Sequence, residues 1–471
     1  MRGAKTDMDD TGIFPDRRPK MAERIADELT QWIIDNHIVQ GTSLGTEINL
    51  AERLGTSRWT VREAIGILER EGQATIRRGR YGGIFVTAPS VDAVSSAIRS
   101  YLEFIRVDVD EIIQARHVLD GAIIERAVAN VTPADIPALR TVADLTSENE
   151  GVKGGFTQYA ALLAVARSPA LQAFVRAVGQ LGTSAIIRSA LDDNELEQVM
   201  QSIRLMRRQQ IEAVIAGDLG AAMTTESAVL QSSSRLLHSA RRFPDQDLNQ
   251  ARIRALRFLS KSGRFKRPEL LMHEIASDIV AQGWPVGMHL GTEGELLTRY
   301  SVSRSAFREA VRSLEQIGVV EMKTGRLSGL KVGSPSPETI VAASCRQFGR
   351  MKISRSHLRD AFYVLGTSCA AEAATRKVDE AQLKAYARQS PATFFNHVAE
   401  LSENRILSLM MQIITAPAMR ALEPGDPNAR APQAEDLANI ADAIIRGDGP
   451  IARRLVLHLQ QRSRSDTPDG S

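Results

Sequence analysis

Residues 41–65 read GTSLGTEINLAERLGTSRWTVREAI, and residues 287–311 read GMHLGTEGELLTRYSVSRSAFREAV. The first stretch places Leu50, Ala51 and Leu54 at helical spacing and then reaches Gly55, which predicts a short helix over 46–54. Ser57 is suited to cap a second helix by accepting from a backbone N–H one turn in. In that second helix Val61, Ala64, Ile65 and Leu68 recur at i, i+3, i+4 and i+7 and should face a core. Arg58, Thr60 and Arg62 lie off this stripe, the two arginines one turn apart on the same side. The pattern is a helix–turn–helix whose second helix is basic. Such a helix fits the major groove, where arginine grips guanine bidentately or clamps a phosphate. A single copy would be equally well described as an amphipathic helix with a solvated basic face. Two copies in the same context weaken that alternative.

Each copy runs on into a candidate wing. GQATIRRGRYGGIFV, residues 72–86, sets short apolar runs on either side of a Gly- and Arg-rich turn, the mark of a β-hairpin. Arg77, Arg78 and Arg80 fall at its tip, and GVVEMKTGRLSGLKV, residues 318–332, places Lys323 and Arg326 likewise. The residues expected to meet DNA are Ser57, Arg58, Trp59, Thr60, Arg62, Arg77, Arg78 and Arg80 in the first copy. In the second they are Ser303, Arg304, Ser305, Arg308, Lys323 and Arg326, with Ala306 beside them.

The pattern G-x-x-L-x-x-E-x-x-L-A-x-x-x-x-x-S-R-x-x-V-R-E-A resembles the GntR superfamily of bacterial regulators. The helical segment after each wing resembles the ligand-binding FCD domain of its FadR-like branch. The resemblance implies a mainly α fold with small β-hairpin wings: two winged helix–turn–helix domains, each followed by an all-α bundle. It also implies double-stranded operator DNA as partner and action in the cytoplasm, on the bacterial nucleoid, as a repressor.

Composition agrees with that expectation. A 471-residue chain has room for several domains. The net charge is only +3, yet Arg58, Arg62, Arg70, Arg77, Arg78 and Arg80 stand against Glu63, Glu69 and Glu71 in the first copy. Local excess of this kind is the footprint of a nucleic-acid binder. The two cysteines, Cys345 and Cys369, give neither a disulfide framework nor zinc spacing, as suits a reducing compartment. No apolar run is long enough to span a membrane, and residues 1–20 are too polar for a signal peptide. Neither a Ser/His/Asp set nor a phosphate loop is present, and the eight histidines are scattered, so an enzyme is not expected.

Gly41 to Gly287, Glu47 to Glu293, Arg58 to Arg304 and Arg80 to Arg326 are all displacements of 246 residues. Two similar segments, IEAVIAGD ending at Asp218 and IADAIIRGD ending at Asp448, are displaced by only 230. A tandem duplication whose second bundle lost 16 residues accounts for both numbers, and a period this long marks domains, not a solenoid. The expected boundaries are a disordered N-terminus 1–19, the first head 20–89 and the first bundle 90–238. A basic linker 239–266, the second head 267–334, the shortened second bundle 335–462 and a disordered tail 463–471 follow. The linker is either a basic arm beside the second head or an ordinary solvated connection.

Members of the FadR-like branch commonly hold a divalent metal in the bundle with one Asp and three His. The resemblance puts Gly155, Tyr159, Arg207 and Val229 at those positions in the first bundle, and Phe395 and Leu437 in the second. His397 is turned away from its place by the two-residue step, and His458 falls one residue short. No metal and no other cofactor is therefore expected. Arg207 could instead hold the carboxylate of a small organic acid, with Arg116, Asp120 and Tyr159 near it. Alternatively Arg116 and Asp120 form an i,i+4 surface pair and Arg207 is solvated. Two functions remain: a regulator tuned by an effector in a bundle, or a DNA-binding protein whose degenerate bundles serve only to dimerise or pseudo-dimerise. In either case the two heads differ, so the operator should be asymmetric. The bundles should pair within the chain, with further homodimerisation of chains left open.

Overall fold

The computed structural model describes residues 21–36, 38–70, 73–77, 82–87, 91–144, 151–187, 193–240, 267–316, 318–323, 328–351, 353–416 and 432–465. It divides into two compact units, 1–88 and 89–471. The expected disordered N-terminus, the linker from 241 on, the tail from 466 on, and Arg78, Arg80 and Arg326 lie outside the described residues. Residues 463–465, expected in the disordered tail, instead continue the helix that ends at Ser465, and 239–240, expected in the linker, close the helix that ends at Ala240.

The first unit is the first head. Helix α1 (Met21–Asp35) is followed by β1 (Ser43–Gly45), α2 (Glu47–Arg53), α3 (Arg58–Arg70), β2 (Ala74–Arg77) and β3 (Gly83–Val86). Thr46 caps α2 in a reciprocal box with Asn49, satisfying N–H groups that helix geometry leaves unpaired. Val61, Ala64, Ile65 and Leu68 of α3 are fully buried against Ile25, Leu29 and Ile33 of α1, the face that the sequence period selects. The hairpin pairs Ala74 with Val86 and Arg77 with Gly83. A third strand, β1, adds to β3 and gives the order β1-β3-β2, where the sequence had predicted a hairpin alone. Position 83 has φ +158, and a Cβ there would come within 3.1 Å of the Gly45 carbonyl oxygen of β1, so a side chain at this position would crowd the docking of β1.

The second unit holds the first bundle, the second head and the second bundle. The first bundle comprises α4 (Val91–Phe104), α5 (Val109–Asn130), α6 (Ile136–Ala143), α7 (Gly151–Val165), α8 (Pro169–Ile187), α9 (Asp193–Ile215) and α10 (Leu219–Ala240). The second head repeats the first with α11 (Arg267–Ala281), β4 (His289–Gly291), α12 (Glu293–Tyr300), α13 (Arg304–Gln316), β5 (Val320–Lys323) and β6 (Gly329–Val332). Its strand order, β4-β6-β5, is the same.

The second bundle has α14 (Pro337–Arg350), α15 (Arg355–Ala373), α16 (Glu380–Tyr386), α17 (Pro391–Leu401), α18 (Arg405–Thr415), α19 (Ala434–Ile445) and α20 (Gly449–Ser465). These answer α4–α10 one for one. Helix starts are displaced by 246 from α4 to α14, by 236 from α8 to α18, and by 230 from α10 to α20. The shortening thus falls in two places, before the fifth helix of the bundle and after it.

The two bundles share one hydrophobic core. At their joint Arg405 forks onto Glu111 at 2.6 and 3.0 Å and donates to the carbonyls of Ile105 and Arg106. Beside it Asn404 donates to Gln114 at 2.7 Å. The second head leans on the first bundle, with Trp284 edge-on to Phe104 of α4 at 4.3 Å between ring centroids.

Candidate nucleic-acid interface and buried polar cluster

Helix α3 opens on the segment that sequence analysis singled out. Ser57 accepts from the Thr60 N–H at 3.1 Å, and Ser303 accepts from the Ala306 N–H at 3.3 Å at the start of α13. A cap of this kind fixes the first turn, which carries the side chains offered outward. Arg58, Trp59 and Arg62 are exposed, as are Arg304, Ser305 and Arg308. Trp59 is 66% exposed, unusual for so large an apolar ring. In the wings, Arg77 lies over the Phe85 ring at 4.3 Å, and Lys323 is ion-paired with Glu321.

Sequence reasoning missed a carboxylate behind each pair of arginines. Glu47, at the start of α2, takes a bidentate grip from Arg62, Nε–Oε1 3.1 Å and Nη2–Oε2 2.6 Å. Glu293 takes the same from Arg308 at 2.9 and 3.3 Å. In the second head Arg304 also reaches Glu293, at 3.3 Å. The hydrogen bond from Arg62 holds the Glu47 carboxyl below its ordinary range, and Arg308 does so for Glu293. The later arginine of each pair is therefore braced against the preceding helix while its outer face stays open. The signal was available: Glu47 and Glu293 keep the same 246-residue displacement as the arginines.

The four candidate effector residues come together inside the first bundle. Tyr159 donates to Asp120 at 2.5 Å, and Arg116 binds the other Asp120 oxygen at 3.0–3.1 Å. The Arg207 guanidinium lies over the Tyr159 ring at 4.3 Å. The alternative with Arg207 solvated does not hold, because only 2% of that residue is exposed. Nor is Arg116–Asp120 a surface pair, since Asp120 is equally buried.

Two residues that sequence analysis did not name complete the cluster. Arg207 donates through both terminal nitrogens to Glu226, and through one of them to the Gln210 side-chain oxygen. Gln210 in turn donates to Glu226 at 2.8 Å and to the Ala222 carbonyl at 3.1 Å. Burial pushes the Asp120 carboxyl up, against the pull of Arg116. Burial acts the same way on Glu226, but the charge and hydrogen bonds of Arg207 outweigh it and leave the carboxyl below its ordinary range. The Tyr159 hydroxyl is raised far above its ordinary value by burial and by the charge of Asp120.

A divalent cation does not fit this donor set. Each carboxylate already faces a guanidinium, and an ion placed among them would meet the fixed charges of Arg116 and Arg207. Among the described residues no group of three His, Cys, Asp or Glu is arranged to hold a metal.

The second bundle fills the same positions differently. The displacements carry Arg116 to Phe362, Asp120 to Gly366, Tyr159 to Phe395, Arg207 to Leu437, Gln210 to Ile440 and Glu226 to Val456. Phe362 packs edge-on to Phe395 at 4.8 Å. Phe395, Leu437, Ile440 and Val456 are fully buried. A Cβ on Gly366 would lie 2.9 Å from the Phe395 ring. His397 is buried against Tyr386, and His458 is exposed.

Comparison with known proteins bears on both heads. Residues 21–86 and 269–328 each match the family described as bacterial regulatory proteins, gntR family. An uncharacterized HTH-type transcriptional regulator of Mycobacterium tuberculosis is 27% identical over 243 residues, covering 50% of this chain and 97% of that protein. The Exu regulon transcriptional regulator of Escherichia coli K12 is 30% identical over 125 residues, which is 26% of this chain and 47% of that one. A solved Streptococcus agalactiae GntR structure aligns at 18% identity with a TM-score of 0.32, covering 45% of this chain and 99% of its own. No described helix is long and apolar enough to cross a membrane. The chain thus carries, twice, the helix–turn–helix domain of the family described as bacterial regulatory proteins, gntR family.

Proposed function

We propose that the protein reads an asymmetric operator, one half-site to each head, and represses by occupying it in the bacterial cytoplasm. The supporting observation is the contrast between two heads of identical build. Their capped recognition helices keep the paired arginines, Arg58 with Arg62 and Arg304 with Arg308. They differ beside them, Trp59 with Thr60 against Ser305 with Ala306. Two-fold proteins read palindromes because their recognition helices are identical, and these are not. Arg77, Arg78, Arg80, Lys323 and Arg326 hold phosphate at the wings, with Lys323 weakened by its bond to Glu321.

The joint built by Arg405, Glu111, Asn404 and Gln114 supports pairing of the bundles within one chain, an intramolecular pseudo-dimer. Covalent linkage then supplies the second head at high effective concentration. Neither bundle uses a metal. The polar cluster of the first bundle has the donor set that a small organic acid would need, whereas the apolar filling of Phe362, Phe395 and Leu437 makes the second bundle a scaffold.

Arg58→Ala and Arg304→Ala test the assignment of heads to half-sites. Each should relax base preference in a different half of the operator, with about 1–3 kcal/mol lost per bidentate contact. Equal effects of both substitutions on both halves would overturn it.

A further inference from the structure

We propose that the first bundle contains a carboxylate-binding site occupied by the chain's own Glu226, which serves as a built-in ligand and closes the site to carboxylates from outside. The proposal rests on the reading of this bundle as the part built to hold a small acid. It names the chemistry of that site and what fills it.

The partners around Glu226 are those a free carboxylate would need. Arg207 presents a fork to both oxygens, Gln210 adds an amide N–H at 2.8 Å, and the back of the guanidinium is covered by the Tyr159 ring. A planar fork with an added amide is a recognition geometry for carboxylates. All three partners are held by other groups. Arg207 is stacked on Tyr159, Gln210 is tied to the Ala222 carbonyl, and Tyr159 is anchored on Asp120.

Glu226 approaches from α10, while Arg207 and Gln210 stand on α9. The carboxylate therefore clasps two helices together, as a bound acid would. The fold itself does not require this ion pair. The second bundle closes the same corner with Leu437, Ile440 and Val456, all fully buried. A full receptor set in one copy, against an apolar filling in the other, marks the first as a site and not a packing necessity.

An external acid must displace a carboxylate attached to the same chain, and the displaced Glu226 would be left buried without its cation. The wild-type site is therefore closed. Removal of the Glu226 side chain beyond Cβ should open it. The atoms lost in Glu226→Ala, namely Cγ, Cδ and both oxygens, are the heavy atoms of acetate.

The test is thermal unfolding of the full chain in sodium acetate against sodium chloride at equal ionic strength, with acetamide as the neutral isostere. Glu226→Ala should melt below wild type in chloride and recover several degrees in acetate. Wild type and the double variant Glu226→Ala/Arg207→Leu should not respond. Should Glu226→Ala fail to fold in chloride, folding only in acetate supports the proposal, and failure in both salts overturns it. Equal recovery by acetamide, or an equal acetate shift in wild type, also overturns it. DNA binding of the rescued variant is read separately. Acetate-dependent affinity supports an effector role for the bundle. Rescue of stability without any change in affinity supports the carboxylate site while removing the effector role.

Discussion

Arg207→Leu places in the first bundle the residue that its second copy carries at position 437. The substitution strips a buried carboxylate of its main partner. The Arg207 and Glu226 side chains are 3% and 1% exposed, so water cannot replace what is lost. Breaking such a pair from one side costs about 3–5 kcal/mol. The stacking of Arg207 on Tyr159 is lost as well, which argues for the upper part of that range. Converting the set together, Arg207→Leu with Gln210→Ile and Glu226→Val, follows the solution already present in the second bundle. Apolar replacement of a whole buried pair is often neutral or stabilising by about 1–4 kcal/mol. For a domain of this size 1 kcal/mol moves the melting temperature by about 2–4 °C. The single variant should therefore lose about 6–20 °C and the triple variant should regain most of it. Circular dichroism on the full chain resolves a shift of that size. A single variant that melts with wild type, or a triple variant no better than the single, would refute the assignment of Arg207 and Glu226 as a buried, mutually dependent pair.

Three further outcomes are expected. Gly366→Ala should destabilise the second bundle, because overpacking a filled core costs about 1–3 kcal/mol and the new Cβ lies 2.9 Å from the Phe395 ring; a raised melting temperature would show that the ring moves aside at no cost. The joint between bundles should weaken in acid. The Glu111 carboxyl is shifted below its ordinary value; burial opposes the shift, but the hydrogen bonds and charge of Arg405 prevail. Its contribution is thus fully present above the unfolded value and lost as pH falls through the lower folded one. Arg405→Ala should flatten that part of the stability profile, and an unchanged profile would contradict the pairing. Elemental analysis of chelator-free protein should find well under one metal ion per chain, with no effect of EDTA on melting; a stoichiometric ion would contradict the reading of the cluster as self-neutralised.

The heads were legible because their evidence is local. Val61, Ala64, Ile65 and Leu68 announce a buried face through spacing alone, and Ser57 announces its cap. Strand β1 escaped notice because Ser43–Gly45 is too short to show alternation and becomes a strand only by docking on β3. The polar cluster was half legible. Arg116 and Asp120 sit four apart and were visible as a pair, but spacing carries no information about depth. Glu226 was not visible at all, since it meets Arg207 across two helices, and nothing in either local pattern marks an acid on α10 as buried. The contrast with Leu437, Ile440 and Val456 could have raised the question. The wings divide similarly: the hairpins follow from their turns, while the bond from Lys323 to Glu321 depends on the side-chain arrangement.

Selection of binding sites from random double-stranded DNA by the full-length protein tests the central claim most directly. Two recognition helices that share paired arginines but differ at Trp59 and Thr60 against Ser305 and Ala306 should enrich a site with two unlike halves. The half lost in Arg58→Ala should be the one kept in Arg304→Ala. Recovery of a perfect palindrome, or of a single half-site altered alike by both substitutions, would contradict the account of one chain reading two different sequences.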